Sequence, residues 1–309
     1  MTDTPRALRA ICFDLDGTLL PMDLDAFMRS YFNAIYDFVT GKGLDAGAFM
    51  ERFNAGVRAM AGHTDGRTNA KAYWEAFGTC ADQGRDFWEP LLNEFYEGPF
   101  GELGRDVQPN PAAAQAVEEL AAKGYPLVLA TMPMFPLPAV RWRLRWAGIN
   151  PDVFARITHY ENSTAVKPRG LYYAENLAAL GASGPDVLMV GNNTVEDLAF
   201  ADLGAEVFLV TDWLLDPAGL DLDTVRHGTM DDFAAWACKL PPCAAPADPI
   251  VTGQVSRAEA EATLAANACG ELAGAEADAR AAAAAEDAVS HGRPIGAAVA
   301  QDATCGEVR

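Results

Sequence analysis

The chain is short of the features that mark several large classes of protein. Its 309 residues include 23 lysines and arginines against 43 aspartates and glutamates, a formal net charge of −20 at pH 7. Nucleic acid demands cations along its phosphates, so this balance argues against nucleic acid as a partner. No apolar run approaches the roughly 20 residues that a membrane-spanning helix needs, which argues against a membrane protein. Histidine is scarce, at positions 63, 159, 227 and 291, and none of the six cysteines (12, 80, 238, 243, 269 and 305) forms a Cys-x-x-Cys pair. Zinc sites and disulfide frameworks therefore give way to reduced thiols in a reducing compartment. The first strand is entered by about Leu8, leaving no room for a signal peptide, and the expected location is cytoplasmic. Aromatic residues are absent from one region: residues 241–309 contain 23 alanines and no aromatic side chain. Without large side chains such a segment buries too little surface to offset its ordering entropy, so a disordered or loosely helical acidic tail is expected from residue 241.

The remainder can build a core. Hydrophobic residues make up 50% of the chain and charged residues 21%, an ordinary globular mix with room for one large domain or two modest ones. The most informative stretch is Arg9-Ala10-Ile11-Cys12-Phe13-Asp14-Leu15-Asp16-Gly17-Thr18. Its apolar run, Ala10 to Phe13, reads as a buried strand of a parallel sheet. Side chains alternate along a strand, so Asp14 and Asp16 leave on the same side. Gly17 then permits a turn that a Cβ would resist. An acidic turn after a strand could look the same, but the carboxyl end of a parallel strand is where open α/β sheets place their chemistry.

Between residues 24 and 108 no strand pattern appears. Leu24, Phe27, Met28, Tyr31, Ile35 and Phe38 predict an amphipathic helix ending at Gly41. Phe49, Phe53, Val57 and Met60 predict a second, Ala70–Phe77 a third, and Phe87 to Phe95 a fourth that closes before Gly98-Pro99. From Asn110-Pro111, an N-cap with proline at the first helical position, strands and helices alternate again. The expected elements are a strand over 125–130, a helix over 140–147, a short strand near Ile157, a helix over 171–180, a strand over 187–190, a helix near 197–203 and a strand over 207–210. Such alternation predicts a parallel sheet covered by helices on both faces. The arginines of Arg141-Trp142-Arg143-Leu144-Arg145-Trp146 are expected on a solvated helix face, because neighbouring positions on a helix do not form one stripe.

Three later stretches join the Asp-Leu-Asp-Gly-Thr pentad: Leu127-Val128-Leu129-Ala130-Thr131, Val166-Lys167-Pro168, and Val187-Leu188-Met189-Val190-Gly191-Asn192-Asn193 followed by Glu196-Asp197. In order and content they resemble the four motifs of the haloacid dehalogenase superfamily over residues 8–240. The resemblance implies an α/β fold, a Rossmann-like doubly wound parallel sheet (1–20 and 109–240), with an inserted α-helical cap (21–108) over the active site. It implies a Mg²⁺-dependent phosphatase acting on a small phosphorylated metabolite. Asp14 would be the nucleophile, forming an aspartyl-phosphate, and Asp16 the general acid and base. Thr131 and Lys167 would bind the phosphate, and Mg²⁺ would be held by Asp14, the backbone oxygen of Asp16, Asn192 and Asp197. Dehalogenases of this fold generally lack the second acid, so Asp16 favours a phosphate ester. The family pattern has aspartate where Asn192 stands, which should weaken Mg²⁺ binding, with Glu196 or Asp197 as compensation. A phosphomutase, and a weakly active scaffold that binds a ligand or partner, remain alternatives. The segment carrying Arg52, Arg58, Arg67 and Lys71, opposed only by Asp65, would either face an anionic substrate or form a solvated helix face.

Overall fold

The structure, a computed structural model, describes residues 7–217 and 219–268. Six parallel strands form one sheet: β1 (Ala10–Phe13), β2 (Leu127–Leu129), β3 (Arg156–Ile157), β4 (Val187–Gly191), β5 (Glu206–Val210) and β6 (Arg226–Gly228), in the order β3-β2-β1-β4-β5-β6. Every residue of β1, β2 and β4 is buried, which explains why these strands read as continuous apolar runs rather than alternating ones. Phe13 of β1 registers with Leu129 on one side and Val190 on the other. The bonds Asp14 N–H to Val190 O (2.8 Å) and Ala130 N–H to Phe13 O (2.7 Å) extend that register by a residue. The segments that follow β1, β2 and β4 therefore begin at the same edge of the sheet, where the strand order reverses.

Four helices intervene between β1 and β2: α1 (Leu24–Gly41), α2 (Ala46–Gly62), α3 (Asn69–Phe77) and α4 (Arg85–Glu97). The side chains of Asp23, Asp45 and Thr68 cap the first three by accepting from backbone N–H groups of their first turns. On α1, Phe27, Tyr31 and Ile35 are buried at four-residue spacing, and Tyr31 meets Phe53, Phe95, Phe100 and Phe135 in an aromatic cluster. The start of α3 is tied to the sheet side. Asn69 is fully buried, and its amide donates to the carbonyls of Pro133 (2.9 Å) and Ala165 (3.3 Å) while its backbone N–H donates to Ser163 O (2.8 Å). Nothing in the sequence singled out Asn69.

The remaining helices are α5 (Pro111–Ala122), α6 (Leu137–Trp146), α7 (Gly170–Leu180), α8 (Met230–Ala237) and α9 (Arg257–Asn267). The helix expected near residues 197–203 is instead a 3₁₀ turn, Leu198–Leu203, because the Asp197 carboxylate turns back onto the backbone that precedes it. Short β6 and α8 carried too little periodicity to be predicted. Among the described residues, no helix is long and apolar enough to cross a membrane.

The expected tail boundary is wrong. Residues 241–268 pack against the sheet domain, with Ala247, Val255 and Ala260 buried. Backbone bonds run from Cys243 N–H to Lys123 O, Ala247 N–H to Arg9 O and Val251 N–H to Ala179 O. The Arg156 guanidinium, buried beneath this segment, donates to Val251 O (2.6 Å) and Gly253 O (2.7 Å). Helix α9 lies on α7, where Leu264 would come within 3.1 Å of a Cβ on Gly170. Small side chains suffice here because α7 is apolar nearly all round and accepts a close neighbour. The rest of the expected tail, residues 269–309, lies outside the described residues. Cutting the chain after Leu240 should therefore strip Arg156 of two carbonyl partners and expose α7, lowering stability by at least about 3 kcal/mol in urea denaturation. An unchanged unfolding midpoint would contradict this packing.

Candidate active site

The strand ends described above bring the predicted residues together. Asp14 and Asp16 leave β1 in a turn closed by Gly17 N–H to Leu20 O (2.8 Å). Gly17 has φ +81°, and a Cβ there would lie 2.2 Å from the Asn192 amide nitrogen, so the turn needs glycine on both counts. Thr131 follows β2, and its carbonyl is fixed by the hydroxyls of Thr158 and Tyr172, both at 2.8 Å. Its own hydroxyl is buried without a hydrogen-bond partner.

Lys167 is buried between two carboxylates. Its Nζ donates to Asp14 Oδ1 and to Asp197 Oδ1, each at 2.7 Å. Burial opposes its charge, but Asp14 and Asp197 outweigh that and hold the ammonium well above its ordinary pKa. The other Asp197 oxygen accepts from the backbone N–H groups of Asn192 (2.9 Å) and Asn193 (3.0 Å). Both Asp197 oxygens are thus engaged, and the carboxylate fixes the lysine and the loop after β4.

Asn192 has a second task as well. Its Nδ2 donates to Trp213 O (2.6 Å), its backbone carbonyl accepts from Leu215 N–H (2.9 Å), and its Oδ1 accepts from the Thr18 hydroxyl (3.1 Å). This network fixes the amide's orientation. The Thr18 hydroxyl also lies 3.4 Å from Asp14 Oδ2. One proton thus faces two acceptor oxygens, a hard-oxygen pair with spare lone pairs. Among the described residues no group of three or more His, Cys, Asp or Glu side chains could hold a metal. Asp14 Oδ2 and Asn192 Oδ1, which share the Thr18 hydroxyl, are oxygens of the kind that Mg²⁺ prefers.

Asp16 departs most from expectation. It is paired with Arg143, whose side chain is only 1% exposed; the arginine expected on a solvated face is buried in the site. A turn of α6 carries it inward, and the guanidinium stacks on Phe135 with 4.4 Å between its carbon and the ring centroid. Burial raises the Asp16 pKa, the Arg143 charge opposes that, and the Asp14 charge adds to it. Asp16 Oδ1 has no hydrogen-bond partner, nor have Arg143 Nε and Nη2. The basic stretch on the helical insertion does not join this site. Arg52, Arg58 and Lys71 are exposed, and Arg67 pairs with Asp65 (2.7 Å) and Glu75, as a solvated face would.

A family model for haloacid dehalogenase-like hydrolases matches residues 8–204, and the chain belongs to that family. No curated protein matches its sequence. Solved structures similar to it include a 2-haloacid dehalogenase from Pseudomonas syringae pv. Tomato DC3000 (17% identity, 74% of this chain and 97% of that one, TM-score 0.48). A predicted phosphoglycolate phosphatase from Haemophilus somnus 129pt is similar at 16% identity, with 74% and 97% coverage and a TM-score of 0.46. A phosphatase of the same superfamily from Thermococcus onnurineus is similar at 19% identity, with 72% and 94% coverage and a TM-score of 0.44.

Asn192 explains itself once its donor is seen, since an aspartate there would turn a carboxylate oxygen toward Trp213 O. Asn192→Asp should lower stability in metal-free buffer by about 1–3 kcal/mol, the worth of a buried amide donor replaced by a repelling acceptor. Urea denaturation in the presence of a chelator measures it, and an unchanged midpoint would show that the Trp213 bond carries little.

Proposed function

We propose that the chain hydrolyses a small phosphate monoester, with Asp14 as nucleophile and Asp16 as acid and base. The observation that carries this reading is the second carboxyl group. Asp16 sits beside Asp14 at the end of the central strand, its pKa raised by burial, with Oδ1 unpartnered. A carbon–halogen bond needs no protonated leaving group, whereas an alkoxide does.

An oxygen of Asp14 attacks phosphorus, and the bond from phosphorus to the ester oxygen breaks as Asp16 Oδ1 delivers its proton to that oxygen. Asp16, now ionised, takes a proton from water, which attacks the aspartyl-phosphate and releases inorganic phosphate with Asp14 restored. Lys167 offsets the charge on Asp14 and keeps its carboxylate in one orientation. The Thr131 hydroxyl, buried and free of other partners, supplies a donor for a phosphoryl oxygen. Asp14 and Asn192 would hold the Mg²⁺ ion, which when bound adds positive charge against the transferring phosphoryl group. The helical insertion, tied down through Asn69, acts as the cap over the leaving-group side.

Assay against a panel of phosphate monoesters with Mg²⁺ tests this directly. Asp14→Asn should abolish turnover, and Asp16→Asn should lower kcat by about 10²–10⁴-fold for alkyl esters. The Asp16→Asn loss should shrink for aryl esters with acidic leaving groups, which need less protonation. Equal loss for every leaving group would remove Asp16 from the acid role, and near wild-type turnover by Asp14→Asn would reject the reading itself.

A further inference from the structure

The backbone around Thr131 and Lys167 lies outside the strand ladder. Thr131 is two residues beyond the end of β2, and Lys167 stands in the loop before α7, next to Pro168, which has no N–H to give. Buried carbonyls in such segments need donors from elsewhere, and here the helical insertion supplies them. Asn69 Nδ2 donates to Pro133 O (2.9 Å), two residues after Thr131, and to Ala165 O (3.3 Å), two residues before Lys167. On the other side of the lysine, Arg169 Nη1 donates to His63 O (2.6 Å). The segment from Ala165 to Arg169 is thus bonded to the insertion at both ends, with Lys167 at its centre.

The Asn69 amide is itself held in one orientation. With two carbonyls to meet, Nδ2 must face them, which turns Oδ1 toward His63 Nε2 at 2.8 Å and requires that ring nitrogen to carry a hydrogen. Asn69 is fully buried and the His63 side chain is only 5% exposed, so water competes little for these bonds. The other ring nitrogen, Nδ1, lies 3.4 Å from Asp65 Oδ1. Arg257 of α9 donates to Thr64 O (2.8 Å) and so fixes the loop that follows His63.

We infer that Asn69 is a positioning residue, oriented by His63, that fixes the segments carrying Thr131 and Lys167 relative to each other and so shapes the phosphate subsite. Neither Asn69 nor His63 touches substrate; both act through the carbonyls of Pro133 and Ala165. The insertion then does more than cover the site, because its seating completes the part that receives the phosphoryl oxygens. That Thr131 and Lys167 bind phosphate rests on the phosphatase reading, whereas the coupling of their two segments to His63 does not.

His63→Leu removes the ring donor at similar bulk, while His63→Gln puts an amide nitrogen where Nε2 stands and leaves Asp65 without its ring partner. With 4-nitrophenyl phosphate and Mg²⁺, His63→Leu should raise KM, and the inhibition constant of inorganic phosphate with it, by about 10- to 100-fold, with a smaller change in kcat. His63→Gln should restore both constants, which assigns the effect to the Asn69 bond and not to Asp65 or to packing. Hydrogen exchange read by mass spectrometry follows the coupling without turnover: protection over residues 130–135 and 163–169 should fall in His63→Leu and return in His63→Gln. His63→Ala serves if melting shows the leucine variant unfolded. An unchanged KM in an active His63→Leu, unchanged exchange in the two segments, or a glutamine variant that behaves like the leucine one would overturn the inference. If the wild type neither hydrolyses the ester nor binds inorganic phosphate, yet exchange rises in His63→Leu and returns in His63→Gln, the phosphatase reading fails and the positioning role stands.

Discussion

The site depends on one buried cation held between two carboxylates. Lys167 reaches Asp14 from the loop before α7 and Asp197 from the loop after β4, so three separated segments are fixed by one ammonium group. None of the three groups is tolerable alone in that environment: removing one partner from a buried pair typically costs about 3–5 kcal/mol. The bridging makes the geometry all-or-none. It also disposes of the two carboxylates differently. Asp197 spends its second oxygen on backbone N–H groups and becomes part of the scaffold, whereas Asp14 keeps Oδ2 turned toward Thr18 and Asn192, where chemistry can take place.

A second buried pair complements the first. Arg143 pairs with Asp16, which also feels the charges of Asp14 and Lys167, so two buried cations from different elements serve neighbouring carboxylates. Electrostatically this suits a reaction that gathers negative charge on phosphoryl oxygens. Asp16 itself experiences opposing influences. Burial and the neighbouring Asp14 favour its protonated form, and Arg143 favours the carboxylate, a balance that suits the proposed role of giving a proton and then taking one back.

Much of this was legible in the residues. The fully buried strands announced themselves as apolar runs, and the insertion helices as three- and four-residue periodicities, because both patterns follow from which faces meet the core. Asp14, Asp16, Thr131, Lys167, Asn192 and Asp197 all follow strand ends or loops that the register gathers at one edge. What the sequence hid were choices of partner. That Asp197 would bond Lys167, that Asn192 would need its amide for Trp213, and that Arg143 would turn inward to Asp16 are all long-range contacts with no local signature. The segment from 241 to 268 was misjudged for a related reason. Alanine-rich composition says how little one segment can bury alone, but not that Arg156 and α7 wait beneath it with unmet carbonyl-seeking donors and an apolar face.

Phosphorylation of Asp14 during turnover distinguishes this mechanism from direct attack of water on the ester. Acid quenching of the wild-type protein and of Asp16→Asn in the steady state, followed by proteolysis and mass measurement of the peptide that contains Asp14, tests it most directly. One phosphoryl group is expected on that peptide, with more accumulating where Asp16 can no longer activate water, and none on the same peptide from Asp14→Asn. Turnover of a phosphate ester with no phosphorylated Asp14 at any quench time would contradict it.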